Sequence, residues 1–150
     1  MVTDRIDVAS EVVVARPRPV VADFAVDPAS VTRWYARIRD VRHLTPAPLE
    51  VGSRLAFVAH FLGRTLEYTY EVVEWVPHER FVMRTADGPF PMETTYTWAD
   101  AAPGATRMTL RNRGRPEGLS RVATPLLARA VARSTAQDLR RLRAVLEAAG

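Results

Sequence analysis

The feature that most constrains this chain is a change of hydrophobic period. From about residue 38 to residue 112 apolar and polar residues alternate, and from about 119 to 146 apolar residues recur every third or fourth position. Period two marks half-buried strands, and a period near 3.6 marks a helix with one apolar stripe. In "LEYTYEV", Leu66, Tyr68, Tyr70 and Val72 share one parity, and Glu67, Thr69 and Glu71 share the other. "SRLAFVAHFL" sets Leu55, Phe57, Ala59 and Phe61 on one face, and "RFVMRT" does the same with Phe81 and Met83. "PMETTYTWAD" aligns Met92, Thr94, Tyr96 and Trp98, and "TRMTLRN" aligns Met108 and Leu110. "VRHLTP" is a weaker strand. Gly63-Arg64, Asp87-Gly88-Pro89 and "APGA" read as turns. Consecutive hairpins with one wet face predict an antiparallel sheet.

The two ends add helices. Residues 6 to 15 read as a first strand, with Ile6, Val8, Ser10, Val12 and Val14 on one parity. Pro17 and Pro19 then suit a turn and a first helical position. Val20, Val21, Phe24 and Ala25 fall at helical spacing, Asp27-Pro28 breaks that helix, and a second short one is predicted from Ala29 to Tyr35. The C-terminal stripe comprises Leu119, Val122, Ala123, Leu126, Leu127, Ala130, Val131, Leu139, Leu142, Val145 and Leu146. Arg129, Arg133, Gln137, Arg140 and Arg141 lie opposite it. Pro125 either starts this helix, with Thr124 as N-cap, or kinks a preceding turn. From Pro125 the helix would be about 37 Å long at 1.5 Å per residue, enough to cross the whole sheet. The 150 residues suit a single domain, 1–150, large enough for a core with a cavity left in it.

Composition excludes several chemistries. With no cysteine there is no disulfide, thiol catalysis or thiolate metal site. His43, His60 and His78 have no metal-ligand spacing, and no nucleophile elbow or phosphate loop is present, so no metal and no cofactor are expected. His60 takes the solvent parity, His78 a turn, and His43 the weak strand near where a cavity mouth would lie. Glu67, Glu71 and Glu93 all fall on outward parity, so no paired general acid and base is visible. The start "MVTDRIDVAS" has no apolar segment and no run approaches about 20 apolar residues, so neither a secretory leader nor membrane insertion is expected. A cytoplasmic location follows as the default. All 21 basic residues are arginine, and ten of them follow Gly104 against only Glu117, Asp138 and Glu147. That face is either a solvated helix surface or a contact for an anionic partner. Nucleic acid is not expected, because the strands lack exposed aromatics interleaved with arginine.

The inward polar set is Tyr68, Tyr70, Thr94, Tyr96 and Trp98, with Asn112 a further member. A core built only for packing favours Leu, Ile, Val and Phe. Large amphipathic side chains on adjoining strands either line a pocket or seal the sheet ends. The order strand, two short helices, about six strands, long helix resembles the α+β helix-grip fold of the START/Bet v 1-like (SRPBCC) superfamily. "VADFAVDPASVTRWYARI", "VGSRLAFVAHFLGRTLEYTYEVVEWVPHERFVMRT", "GPFPMETTYTWAD" and "GATRMTLRNRG" are similar to its bacterial polyketide cyclase/dehydrase-like branch. The resemblance covers nearly the whole chain. It implies a curved sheet of about seven strands wrapped on the terminal helix, with a cavity between them. Trp34 and Tyr35 would form its rim or plug the helix onto the sheet. Phe57, Phe61, Tyr68, Tyr70, Met83, Met92, Thr94, Tyr96, Trp98 and Met108 would form its wall. Leu127, Ala130, Val131 and Ser134 would form its roof, with Ala130 and Ser134 small enough to leave room. Three functions stay open. One is a binding module for a small hydrophobic molecule. Another is a cofactor-free cyclase or dehydratase acting through the hydroxyls of Tyr68, Tyr70 or Tyr96. The third is an interaction protein using Arg129, Arg133, Arg140 and Arg141. The sequence leaves enzyme against carrier, and the oligomeric state, undecided.

Overall fold

A computed structural model describes residues 6–61, 63–88, 91–116 and 123–150, apart from the side chain of Phe61. The strands are β1 (Ile6–Val14), β2 (Ile38–His43), β3 (Arg54–Phe61), β4 (Arg64–Val76), β5 (Arg80–Asp87), β6 (Met92–Ala102) and β7 (Ala105–Gly114). The helices are α1 (Arg18–Val26), α2 (Pro28–Trp34) and α3 (Ala123–Ala149). All strands join one antiparallel sheet in the order β1-β7-β6-β5-β4-β3-β2. Strands β1 and β2, consecutive in the chain, therefore sit at opposite edges, and α1 and α2 bridge the gap between them. Register shifts in β4 opposite β5, between Thr69 and Tyr70 and between Val72 and Glu74, tighten the curl. The result is a half-barrel gripping α3, the helix-grip fold.

The alternation sorts the two faces as the sequence predicts. The outer face carries cross-strand ion pairs: Arg54 with Glu71, Arg84 and Arg113 with Glu93, and Arg42 with Glu67. Such exposed pairs each contribute at most about 1 kcal/mol, so they set solubility and register more than stability. Glu67, Glu71 and Glu93 thus face water, and His60 is exposed. The inner face supplies the core: Val14, Phe81, Tyr96, Trp98, Met108 and Leu110 are buried, and Val21, Ala25 and Trp34 close over them.

Three boundaries differ from the sequence reading. The weak strand lies at 38–43, three residues before "VRHLTP", because Ile38 pairs with Ala59 once β3 is in place. Helix α2 starts at Pro28, where the Asp27 side chain accepts the Ala29 N–H at 3.0 Å, and Tyr35 is its C-cap. Thr124 is buried inside the first turn of α3 and is not its N-cap, and Pro125 is accommodated there because first-turn amides need no helical partner. Leu119 and Val122 lie outside the described residues.

The two halves of α3 do different work. Leu139, Leu142 and Leu146 are buried in the core. Arg16 Nη1 donates to Leu146 O at 2.6 Å, and the Ala15 N–H donates to Glu147 Oε2 at 2.8 Å, fastening this half to the end of β1. In the other half, Leu127, Ala130, Val131 and Ser134 are only half-buried, and Leu126 is 62% exposed although its spacing puts it on the apolar stripe. No core rises to meet this half, and a space lies beneath it.

Candidate functional site

The space is a cavity of about 790 Å³ between the inner face of the sheet and the N-terminal half of α3. This volume falls within the ~300–1,000 Å³ usual for small-molecule sites. Register builds its wall. Phe57 pairs with Tyr68 across β3 and β4, and Ala59 with Leu66. Met83, Thr94 and Asn112 form one cross-strand row over β5, β6 and β7. Tyr70 stands beside Phe57, edge to face with ring centroids 5.2 Å apart. Leu127, Ala130, Val131 and Ser134 form the roof, and Met92 and Tyr35 also reach the space.

Four of the candidates from sequence lie elsewhere. Trp34 (0% exposed), Tyr96 (1%), Trp98 (4%) and Met108 (0%) are packed into the core and do not line the cavity. The reason is position along the strands. Parity gives the face of the sheet, but the cavity occupies only one end of that face. Trp34 packs edge-on against Tyr96 at 5.7 Å, and Tyr96 against Trp98 at 6.0 Å, so these rings close off the end under α1 and α2. Of the two readings of Trp34-Tyr35, the plug describes Trp34 and the rim describes Tyr35. The side chain of Phe61 lies outside the described residues. His43 is exposed and does not line the cavity, and His78 pairs with Asp23 on the surface at 3.0 Å.

The polar groups are few. The Tyr35 and Tyr96 hydroxyls are hydrogen-bonded at 2.7 Å, which fixes the Tyr35 ring from behind. Thr94 Oγ1 donates to Asn112 Oδ1 at 2.7 Å within the wall. Burial raises the phenols of Tyr35 and Tyr68 above their ordinary value and lifts that of Tyr70 to about 12, with the neighbouring Thr94 side chain offsetting part of the last. All three are neutral near pH 7 and can donate a hydrogen bond to a carbonyl, but none can serve as a base.

The sequence reading missed one carboxylate. Asp138 on α3 is 3% exposed and lines the cavity. Its Oδ1 accepts the Ala36 N–H at 3.1 Å, which ties α3 to the segment after α2. Burial raises its pKa to about 6, and Ala36, Arg37 and Arg141 hold it from rising further. Its position was available in the sequence, since 138 follows Ser134 and precedes Leu142 by four residues each and so belongs to the inward stripe. Arg37 and Arg64 also border the space. An inward acid and arginines bordering the space are therefore present, which the outward parity of Glu67, Glu71 and Glu93 did not reveal. Of the arginines assigned to the outer face of α3, Arg141 is tethered to α2 through Arg33 O at 3.1 Å, and Arg129, Arg133 and Arg140 are exposed. Among the described residues no cluster of acidic residues or histidines could hold a metal, and no helix is long and apolar enough to cross a membrane.

Comparison with solved structures places this architecture. The protein TTHA0849 from Thermus thermophilus superposes with a TM-score of 0.83 at 18% identity, over 96% of this chain and 99% of that one. The ZhuI aromatase/cyclase from Streptomyces sp. R1128 gives 0.81 at 15% identity, over 95% and 94%. A START superfamily protein from Mycobacterium smegmatis gives 0.73 at 17%, over 95% and 94%. At these identities the likeness is one of fold. No curated protein matches the chain in sequence. The profile of the family described as "Polyketide cyclase / dehydrase and lipid transport" matches residues 5–147. Sheet order, gripped helix and this nearly full-length match agree, and the chain belongs to that polyketide cyclase/dehydrase and lipid transport family.

Proposed function

We propose that this protein binds a small hydrophobic molecule, aromatic or polyketide-like in shape, in the cavity under α3. The observation that carries the reading is a space of about 790 Å³ walled by Phe57, Leu66, Tyr68, Tyr70, Met83 and Leu127, with few polar groups among them. An apolar wall with a few placed polar groups is the usual make-up of a small-molecule site. The family description and the aromatase/cyclase among the fold relatives support the same class of ligand. Native mass spectrometry and calorimetry with naphthalene- and anthracene-sized probes test it. Saturable 1:1 binding is expected, and an interior that takes up no apolar probe refutes it.

Asp138 favours a second reading, a cofactor-free cyclase or dehydratase. Tyr96 cannot act in it, since it is buried in the core and does not border the space. The donors that border the space are Tyr35, Tyr68 and Tyr70, and a carboxyl titrating near pH 6 is suited to moving a proton near neutrality. Such a site would hold a flexible chain folded, which alone lowers a barrier by roughly 7–11 kcal/mol when the geometry is good. Turnover of a poly-β-keto thioester by the wild type, reduced at least tenfold in Asp138→Asn or in Tyr70→Phe, is the expected result. Unchanged turnover in both variants removes this reading and leaves the carrier.

A further inference from the structure

We propose that a notch on the outer face of the sheet is a second site, separate from the cavity, that takes a phosphate dianion, free or as a monoester. Register assembles it. Arg113, Glu93 and Arg84 form one row across β7, β6 and β5. Arg115 follows the end of β7, where its backbone N–H donates to Pro91 O at 3.1 Å. With Pro91, Met92 and Gly114 these side chains enclose about 210 Å³. That is less than the ~300–1,000 Å³ of a site for a whole small molecule, and suits one charged group. Met92 is the one residue bordering both the notch and the cavity among the described residues.

Charge sets the notch apart from the rest of this face. Elsewhere on it arginine and carboxylate pair one to one: Arg54 with Glu71, Arg80 with Glu74, Arg107 with Glu11 and Arg111 with Asp7. In the notch a single carboxylate, Glu93, serves three arginines. Arg84 Nη2 donates to Glu93 Oε2 at 2.9 Å, while Arg113 Nη1 stands 3.7 Å from Glu93 Oε1, beyond hydrogen-bond reach. Among the described residues Arg115 has no ion pair, and Arg113 Nε is buried without a hydrogen-bond partner. A donor shut away from water without a partner costs free energy, and Arg113 can turn toward an entering oxyanion without breaking a hydrogen bond. Guanidinium forks match the spacing of phosphate oxygens. Glu93 leaves two positive charges uncompensated, which a phosphate monoester dianion balances and a singly charged diester or carboxylate does not.

NMR titration of the full chain tests this, at pH 7 and constant low ionic strength, since the notch is open and its attraction is screened by salt. The probes are inorganic phosphate, methyl phosphate and dimethyl phosphate, the last a monoanion. The first two should shift the Gly114 and Arg115 amides and the Arg113 Nε–H saturably, and dimethyl phosphate should bind about tenfold more weakly. Arg113→Gln and Arg115→Gln should each weaken methyl phosphate by about tenfold, the usual worth of a charge-assisted hydrogen bond. Glu93→Gln should tighten it, because the competing carboxylate is gone; a merely structural role for Glu93 would not give that sign. The paired variant Arg129→Gln/Arg133→Gln on α3 and the cavity variant Ala130→Trp should leave it unchanged. Equal affinity for the mono- and diester, no gain in Glu93→Gln, or equal loss in the α3 variant overturns the proposal. None of these results bears on the apolar cavity, whose own probes are separate.

Discussion

Asp138→Asn should make the protein more stable at neutral pH, by an amount that depends on pH in a defined way. The wild-type carboxyl titrates at about 6 in the fold, against an ordinary value of 3.8 in the unfolded chain. Burial is the main cause, and the side chain is 3% exposed, so solvent screening removes little of the effect. A raised carboxyl stabilises the fold while it is protonated. That contribution is complete below pH 3.8 and is lost as pH rises toward 6, because the unfolded chain ionises first. Above pH 6 the loss is full. Two pKa units at 1.36 kcal/mol each put it at about 3 kcal/mol. Asn cannot ionise, yet its Oδ1 can still accept the Ala36 N–H. The variant should therefore exceed the wild type by up to about 3 kcal/mol at pH 8, with the gap closing near pH 4. Urea denaturation of both proteins from pH 4 to 8 measures it, with each pair compared at the same pH so that the surface carboxylates cancel. A gap that does not change with pH, or a variant less stable than the wild type at pH 8, refutes the reasoning.

Other perturbations separate core from cavity. Tyr35→Phe and Tyr96→Phe should show a coupling energy of about 1 kcal/mol in a double-mutant cycle, since each hydroxyl bonds the other at 2.7 Å, and a cycle that closes to zero would count against that bond. Trp34→Ala should cost about 3–5 kcal/mol by thermal or chemical denaturation, because the ring is fully buried against Tyr35 and Tyr96. Ala130→Trp should cost under about 1.5 kcal/mol, since the new ring enters space that is open in the wild type, and it should weaken uptake of apolar probes. Gly88→Ala should weaken probe binding, because a Cβ there would stand 2.8 Å from the Tyr68 ring and push it from its place in the wall.

What can be seen in the sequence follows from which physical rules are local. Alternation in "LEYTYEV" fixes Tyr68 and Tyr70 on the inner face through backbone geometry alone, and Glu67 and Glu71 go to water for the same reason. Helical spacing likewise puts Leu127, Ala130, Val131, Leu139, Leu142 and Leu146 on one inward stripe of α3. Position along a strand is not local. Tyr96 and Tyr70 look alike by parity, yet one lies beneath α1 and α2 and the other beneath the open half of α3, and only the packing of the helices distinguishes them. Asp138 escapes the sequence reading for a different reason. It sits on the inward stripe by spacing, but an isolated acid on an apolar stripe reads as one more surface charge. A buried carboxylate needs a partner, and that partner, the backbone of Ala36, is 102 residues away in sequence.

The central claim is that the space under α3 holds a small apolar molecule. Calorimetric titration of an apolar two-ring probe such as 2-naphthol into the wild type and into Ala130→Trp tests it most directly. The account predicts saturable binding at one site in the wild type and clearly weaker binding in a variant that melts normally. Absence of binding to the wild type, or equal binding to both proteins, would contradict it.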